Sequence, residues 1–247
     1  MDILLYGYES IHVSVIVVSL IGSICTTFCF VADAHVMNVS AAFGVGTPIL
    51  VRDLGTDIAA EYGMDEKKAN AAAAVAVKRI IEAGTIPELR CFSKGIYYLA
   101  KQTVFGETGI NKELLIKIKY LKGDNGYETG ATVMHKLGLI SLMPAERTFV
   151  SNNTQNRAKR DEALGIIVKA PKTAVTKDNC KYLQFLDLLN IYDEVPVDAD
   201  EPYAILGKFV QTNALDYGKL LNIADRHYNN NTIIRLAHVA SHQGARI

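Results

Sequence analysis

An acid and a base stand two residues apart near the start of the chain, at Asp33 and His35. They follow an apolar run that ends at Val31, and ligands of open parallel sheets bind beyond the carboxyl ends of the strands. Histidine titrates near neutral pH, and a carboxylate beside it makes a useful acid/base pair. We therefore predict that Asp33 and His35 are catalytic. The alternative is that Asp33 caps a turn and that His35 lies at the surface or in the packing.

A glycine-rich loop follows, in which Gly44 and Gly46 precede Thr47 and Pro48. Glycines let backbone N–H groups approach an anion, and the Thr47 hydroxyl adds a further polar group. The loop lacks the third glycine of the dinucleotide fingerprint and the lysine of a P-loop. We predict that Gly44, Gly46 and Thr47 contact a ligand, with a plain turn as the alternative.

Charged side chains and a hydroxyl come next, after the short apolar run 49–51. Arg52 could pair with a phosphate or carboxylate, and the carboxylates of Asp53 and Asp57, with Thr56 between them, could bind Mg²⁺ or a ribose. Thr56 or Asp57 could equally cap a turn of helix over residues 58–62. We predict ligand contacts at Arg52, Asp53, Thr56 and Asp57, a role that is compatible with capping.

Metal ligands and cofactor motifs are not evident. His238 and His242 are four residues apart, but the sequence lacks the glutamate of an H-E-x-x-H motif and an evident third ligand. The four cysteines form no repeated pair pattern, which is typical of free thiols in a reducing compartment. We predict solvent-facing histidines, no metal and a cytoplasmic location, and the sequence identifies no cofactor.

The element that must position these residues is the apolar stretch 11–34, which has no ionised side chain between Glu9 and Asp33. Its β-branched residues favour strands, and Gly22-Ser23 divides it into two runs of strand length. Its length would also span a membrane, and Ala32-Asp33-Ala34 has the small-x-small form of a signal cleavage site, but residues 1–50 contain no Lys or Arg. We predict core strands; the alternative is a membrane anchor or export signal in residues 1–34.

Hydrophobic spacing predicts helices and strands in the rest of the chain. Alanine-rich residues 65–84 form a predicted helix that stops at Gly84 before Pro87. Further helices are predicted over 93–106 and 111–123, and strands over 137–143 and 165–168. This alternation is typical of crossover connections in parallel sheets. The predicted fold class is α/β, Rossmann-like, with a mostly parallel sheet, flanking helices and a more helical C-terminal third.

Length and charge restrict the organisation and the partners. The helical spacing after Thr176 predicts an α/β domain over 1–170 and a helical segment over 171–247 that packs on it. The chain has 26 Lys and Arg and 26 Asp and Glu, so no overall field attracts nucleic acid. We expect a small-molecule ligand, no nucleic acid, a membrane partner only through residues 11–34, and a homo-oligomer as an open option.

Three functions follow from these patterns. The leading hypothesis is an enzyme, a transferase or hydrolase, that acts on an anionic or phosphorylated metabolite. The second is a ligand-sensing or scaffold module without catalysis, in which the helical last third transmits binding. The third is a membrane-anchored or exported protein. Because fold does not imply function, enzyme status stays open at this point.

Overall fold

The structure is a computed structural model that describes residues 43–154 and 157–244. The predicted strands in residues 11–34 and the predicted catalytic pair, Asp33 and His35, lie outside the described residues. The chain divides into two compact units. Within the described part, the first unit holds Phe43 and residues 49–89, and the second holds residues 44–48 and 90–244. The predicted domain boundary at residue 170 stays a prediction.

The described part of the first unit is a pair of helices that follows a two-residue strand, β1 (Ile49–Leu50). Helix α1 (Val51–Tyr62) ends at Gly63, and helix α2 (Glu66–Glu82) begins after Asp65. The helix predicted over 65–84 is therefore confirmed as α2. The turn-forming glycines predict a loop that extends to Gly55, but residues 52–55 belong to α1, which begins at Val51 without a side-chain cap.

Short strands open the second unit. β2 (Leu89–Ser93) and β3 (Ile96–Leu99) are neighbours in a sheet, and β4 (Gln102–Thr103) pairs antiparallel with β5 (Gly106–Glu107). The predicted helix over 93–106 is wrong. The two-residue turn Lys94-Gly95 reverses the chain there, with Gly95 in the left-handed region at a φ of 78°. Ile96, Tyr97 and Tyr98 then favour a strand over a helix.

A mixed four-stranded sheet forms the centre of the second unit. Its spatial order is β6 (Gly126–Thr129), β7 (Arg147–Ser151), β9 (Ile166–Lys169) and β8 (Lys159–Asp161). Before it come α3 (Lys112–Ile116), the π-helical turn Lys117–Leu121 and the 3₁₀ turn Lys122–Asp124. The short helix α4 (Ala131–Leu137) connects β6 to β7. The predicted strand over 165–168 is thus confirmed as β9, whereas 137–143 contain no strand.

The last part of the chain is helical. Its elements are α5 (Cys180–Asn190), the 3₁₀ turn Tyr192–Glu194, α6 (Pro202–Thr212), α7 (Tyr217–His227) and α8 (Asn230–His242). The main core of the second unit lies among these helices and α4, where Phe185 stacks on Phe209 with ring centroids 5.6 Å apart. Tyr127 and Val150 of the sheet pack against Leu183, so α5 lies on the sheet.

The predicted Rossmann-like, mostly parallel sheet is wrong. In the four-stranded sheet only β7 and β9 run parallel, whereas β6 with β7 and β8 with β9 are antiparallel. A parallel α/β sheet needs a helix between successive strands. The connection from β7 to β9 contains β8 instead, and β6 returns as β7 after only the two turns of α4. The described fold is mixed α/β, with small and mostly antiparallel sheets.

Within residues 43–154 and 157–244, no helix has both the length and the apolar character that a membrane crossing requires.

Candidate functional sites

Helices α1 and α2 are joined by a tight turn of three residues, Gly63, Met64 and Asp65. Gly63 takes the left-handed conformation at a φ of 62° and donates its N–H to the Ala59 carbonyl, which ends α1. The Asp65 carboxylate accepts the backbone N–H of Lys68 at 3.2 Å, which starts α2. Local interactions therefore determine both ends of the turn.

Small residues bring the two helices close together. Ala69, Ala73 and Ala76 of α2 are buried, and a Cβ atom built on Gly55 of α1 would lie 2.7 Å from the Cα atom of Asn70. Only glycine fits at this crossing, because the obstructing atom belongs to the backbone of the facing helix. The contact determines which face of α2 points inward and which points to solvent.

The outward face of α2 carries lysine side chains at its edges and short side chains at its centre. Lys67, Lys68 and Lys78 are exposed, and so are Ala71 and Ala74 between them. Lys78 forms an exposed ion pair with Glu82, with the Nζ and Oε1 atoms 3.6 Å apart, which contributes little to stability. Short side chains let the helix backbone approach a partner closely, and lysines at the edges can reach the partner's anionic groups.

The glycine loop that the sequence nominated uses its backbone donors internally. The N–H of Gly46 donates to the Leu99 carbonyl at 2.8 Å, and that of Thr47 donates to the Gly44 carbonyl at 3.0 Å. The Gly46 carbonyl accepts the N–H of Asn111 at 2.7 Å. Ligand contacts at Gly44, Gly46 and Thr47 stay a prediction, and in this conformation two of the N–H groups are already paired.

The four polar residues nominated after the loop lie on helix α1. Arg52 Nε is 3.3 Å from Asp53 Oδ1, and the Thr56 hydroxyl donates to the Arg52 carbonyl at 2.9 Å. Asp57 is exposed on the same helix. These residues are therefore neighbours along one helix, whereas Gly44, Gly46 and Thr47 belong to the second unit. Their role as ligand contacts stays a prediction.

The two C-terminal histidines are exposed, as predicted. His238 packs its ring against Tyr203, with the ring centroids 5.6 Å apart. Across the described residues, no three His, Cys, Asp or Glu side chains are grouped in a way that could hold a metal ion.

The second unit contains a cavity of about 710 Å³ beside the four-stranded sheet. Its wall includes residues of β6, β7 and β9, the C-terminal part of α5, and the segment that follows β9. A volume of this size is within the range of small-molecule sites. The sequence did not predict this cavity, since its residues come from distant parts of the chain.

Asp187 of α5 is one of two acidic residues at the cavity wall, and two tyrosines donate hydrogen bonds to it. Tyr127 donates its hydroxyl to Oδ2 and Tyr228 donates its hydroxyl to Oδ1, both at 2.8 Å. Burial raises the pKa of the Asp187 carboxyl, because removal from water disfavours the charged form; the two hydrogen bonds and the charges of Lys172 and Lys169 oppose the shift. Burial also raises the pKa of both tyrosines, so each stays a hydrogen-bond donor.

Comparison of the chain with models of known protein families, and with curated proteins, gives no match. The lysines of α2 were within reach of sequence reasoning, because the predicted helix already placed Lys68 on its solvent face. Sequence reasoning missed helix α1, which precedes the turn, because the glycines at 44, 46 and 55 are typical of loops.

Proposed function

We propose that the first unit is a helix–turn–helix module that binds duplex DNA, with α2 as the helix that enters the major groove. The observation that carries this function is the outward face of α2, in which exposed lysines flank exposed alanines on a helix positioned by a three-residue turn. Duplex DNA as the partner agrees with the cytoplasmic location that the sequence predicts.

The dimensions of α2 suit this role. Its 17 residues span about 25 Å at the usual rise of about 1.5 Å per residue. The major groove of B-DNA is roughly 12 Å wide and admits one α-helix, whereas the major groove of A-form RNA is too narrow for side chains to read. Ala71 and Ala74 can contact thymine methyl groups at close range, and Lys67 and Lys78 can reach guanine edges or phosphates.

The balanced charge of the whole chain does not favour binding to nucleic acid, but the local charge of α2 is positive. Residues 66–82 carry four basic and two acidic side chains, an excess of two positive charges. The acidic residues Asp53 and Asp57 lie on α1 and not on α2. Because binding depends on the local field at the phosphates, we depart here from the sequence-based expectation of no nucleic acid.

The experiment measures binding of the full chain to a random-sequence 30-base-pair duplex by fluorescence anisotropy, over a range of salt concentrations. Replacement of Lys67, Lys68 and Lys78 by Ala should weaken binding at least tenfold. It should also reduce the slope of log affinity against log salt by about 2.7, since each phosphate contact contributes about 0.9. The control removes the same charge from exposed lysines of the second unit, with Lys122, Lys177 and Lys208 replaced by Ala.

A further variant separates groove entry from simple charge. Ala71→Glu puts a carboxylate at the centre of the outward face and should abolish duplex binding, whereas the same substitution at exposed Ala163 of the second unit should leave it unchanged. Selection from a random duplex pool should yield a preferred base sequence. Equal affinity of the parent and the triple-lysine variant, with unchanged thermal melting, would exclude α2 as the DNA-binding helix.

A further inference from the structure

A basic rim surrounds the cavity of the second unit. Lys169 ends β9, Lys172 follows after Pro171, and Arg157 lies on the segment before β8. All three side chains are exposed. Within the described residues none of the three forms an ion pair or a side-chain hydrogen bond, although the charges of Lys169 and Lys172 act on the Asp187 carboxyl at the same wall.

The cavity wall contains one polar group that lacks a partner. Thr129 at the end of β6 is 5% exposed, and its hydroxyl has no hydrogen-bond partner among the described residues. Buried hydroxyls are normally paired, since an unpaired one costs about 1–3 kcal/mol. Thr148 of β7, also at the wall, is the direct cross-strand neighbour of Thr129. The Thr129 oxygen itself is covered by protein atoms, whereas Thr148 is partly exposed.

The acidic side chains of the cavity wall do not neutralise the three cationic side chains. Both oxygens of Asp187 already accept tyrosine hydroxyls, and burial raises the pKa of this carboxyl. Glu194 is exposed at the other acidic position. Three cationic side chains thus face a carboxyl that is held by protein donors and one that lies in solvent, which leaves the cavity attractive to an anion.

We propose that this cavity binds a phosphorylated organic metabolite, whose phosphate contacts Lys169, Lys172 and Arg157. Inorganic phosphate alone would fill only a small part of about 710 Å³. The remaining wall includes Val150, Ile191 and Val195, which offer apolar contact to an organic body. The site is separate from the DNA-binding face, since every residue of its wall belongs to the second unit.

The experiment uses isothermal titration calorimetry on the full chain without DNA. The probes are adenosine 5′-monophosphate, glucose 6-phosphate, adenosine, glucose and inorganic phosphate. We expect at least one of the two phosphate esters to bind, its unphosphorylated counterpart not to bind, and inorganic phosphate to bind at least tenfold more weakly. Absence of binding by both esters, or equal binding of the ester and inorganic phosphate, would overturn the proposal.

Two variants test the assigned residues. Lys169→Ala with Lys172→Ala should weaken the bound ester more than tenfold, whereas Lys122→Ala with Lys208→Ala should not. Unchanged ester affinity in the Lys169→Ala, Lys172→Ala variant would contradict the assignment.

The phosphate could also belong to a nucleic acid backbone, and one further measurement separates that source. Duplex binding of the Lys169→Ala, Lys172→Ala variant should equal that of the parent. Loss of duplex binding in this variant would assign these lysines to DNA and overturn the metabolite site. The lysines of α2 are intact in this variant, so its outcome is independent of the DNA-binding function proposed for the first unit.

Discussion

The outward face of α2 and the cavity beside the four-stranded sheet both present lysines, yet they suit anions of different size. On α2, Lys67 and Lys78 flank a row of exposed alanines, so a large partner can lie along the helix. At the cavity, Lys169 and Lys172 lie beside a concave volume of about 710 Å³, a size within the range of small-molecule sites. We infer that the surface between the cations, and not their number, selects the class of ligand.

The largest effect should come from a methyl group at the helix crossing. Gly55→Ala places its Cβ 2.7 Å from the Asn70 Cα atom, and a backbone atom cannot move aside. We therefore expect the free energy of unfolding to fall by about 1–3 kcal/mol and duplex binding to weaken. In Gly207→Ala of α6 the nearest atoms belong to the Gln243 side chain, which can rotate away. Urea denaturation should show a loss below about 1 kcal/mol for that control. Equal losses would show that the helices do not depend on this close approach.

Separate replacement of the two sets of lysines should distinguish the two proposed sites. Replacement of Lys67 and Lys68 by Ala should weaken duplex binding about tenfold and leave phosphate-ester binding unchanged, and replacement of Lys169 and Lys172 should do the reverse. A tenfold loss of affinity at either site corresponds to about 1.4 kcal/mol of binding free energy. Anisotropy and calorimetry on the same preparations check this result. A variant that lost both activities would mean that the two regions are not independent sites.

A smaller effect is expected at the start of α2. Asp65→Ala removes the acceptor of the Lys68 N–H, which should cost about 1 kcal/mol of unfolding free energy and weaken duplex binding slightly. Asp65→Asn keeps an acceptor oxygen and should behave like the parent. Asp216→Ala removes the corresponding cap of α7 in the second unit, where Asp216 accepts the Lys219 N–H, and should lower stability without affecting the duplex. Chemical denaturation and anisotropy together separate these outcomes.

The smallest effect is a change in pH dependence at the cavity. The pKa of Asp187 is raised by burial, so its contribution to stability is full below the unfolded value of about 3.9 and is lost as pH rises through the folded pKa. Asp187→Asn should therefore gain stability relative to the parent between pH 4 and pH 7. Asparagine can still accept a tyrosine hydroxyl, which keeps the packing.

Glu128 provides the control of opposite sign. Burial acts to raise its pKa, but hydrogen bonds from Arg147 at 2.7 Å and Lys136 at 2.5 Å outweigh burial and hold the pKa below its usual value. This contribution is present above the unfolded pKa, about 4.3, and is lost as pH falls. Glu128→Gln should therefore lose stability relative to the parent from pH 4 to pH 7. Parallel pH profiles for the Asn and Gln variants would refute the raised pKa of Asp187.

Local signals predicted single elements better than they predicted their arrangement. Helix α2 follows from Asp65 as its cap, the alanine run and Gly84 as its stop, all of which act within a few residues. The helix predicted over 93–106 is wrong because the tyrosines and Leu99 also satisfy a helical spacing, and only the turn at Gly95 shows that they belong to a strand. The nominated catalytic pair, Asp33 and His35, stays a prediction outside the described residues.

Sequence patterns were enough to predict helix α2 and the helical character of the last third, since capping and side-chain spacing are interactions between near neighbours. The antiparallel pairing of β6 with β7 and the meeting of Thr129, Lys169 and Asp187 at one cavity emerged only from the folded chain. Those contacts join residues far apart in the chain, and their geometry depends on how α5 packs on the sheet, which no local pattern records.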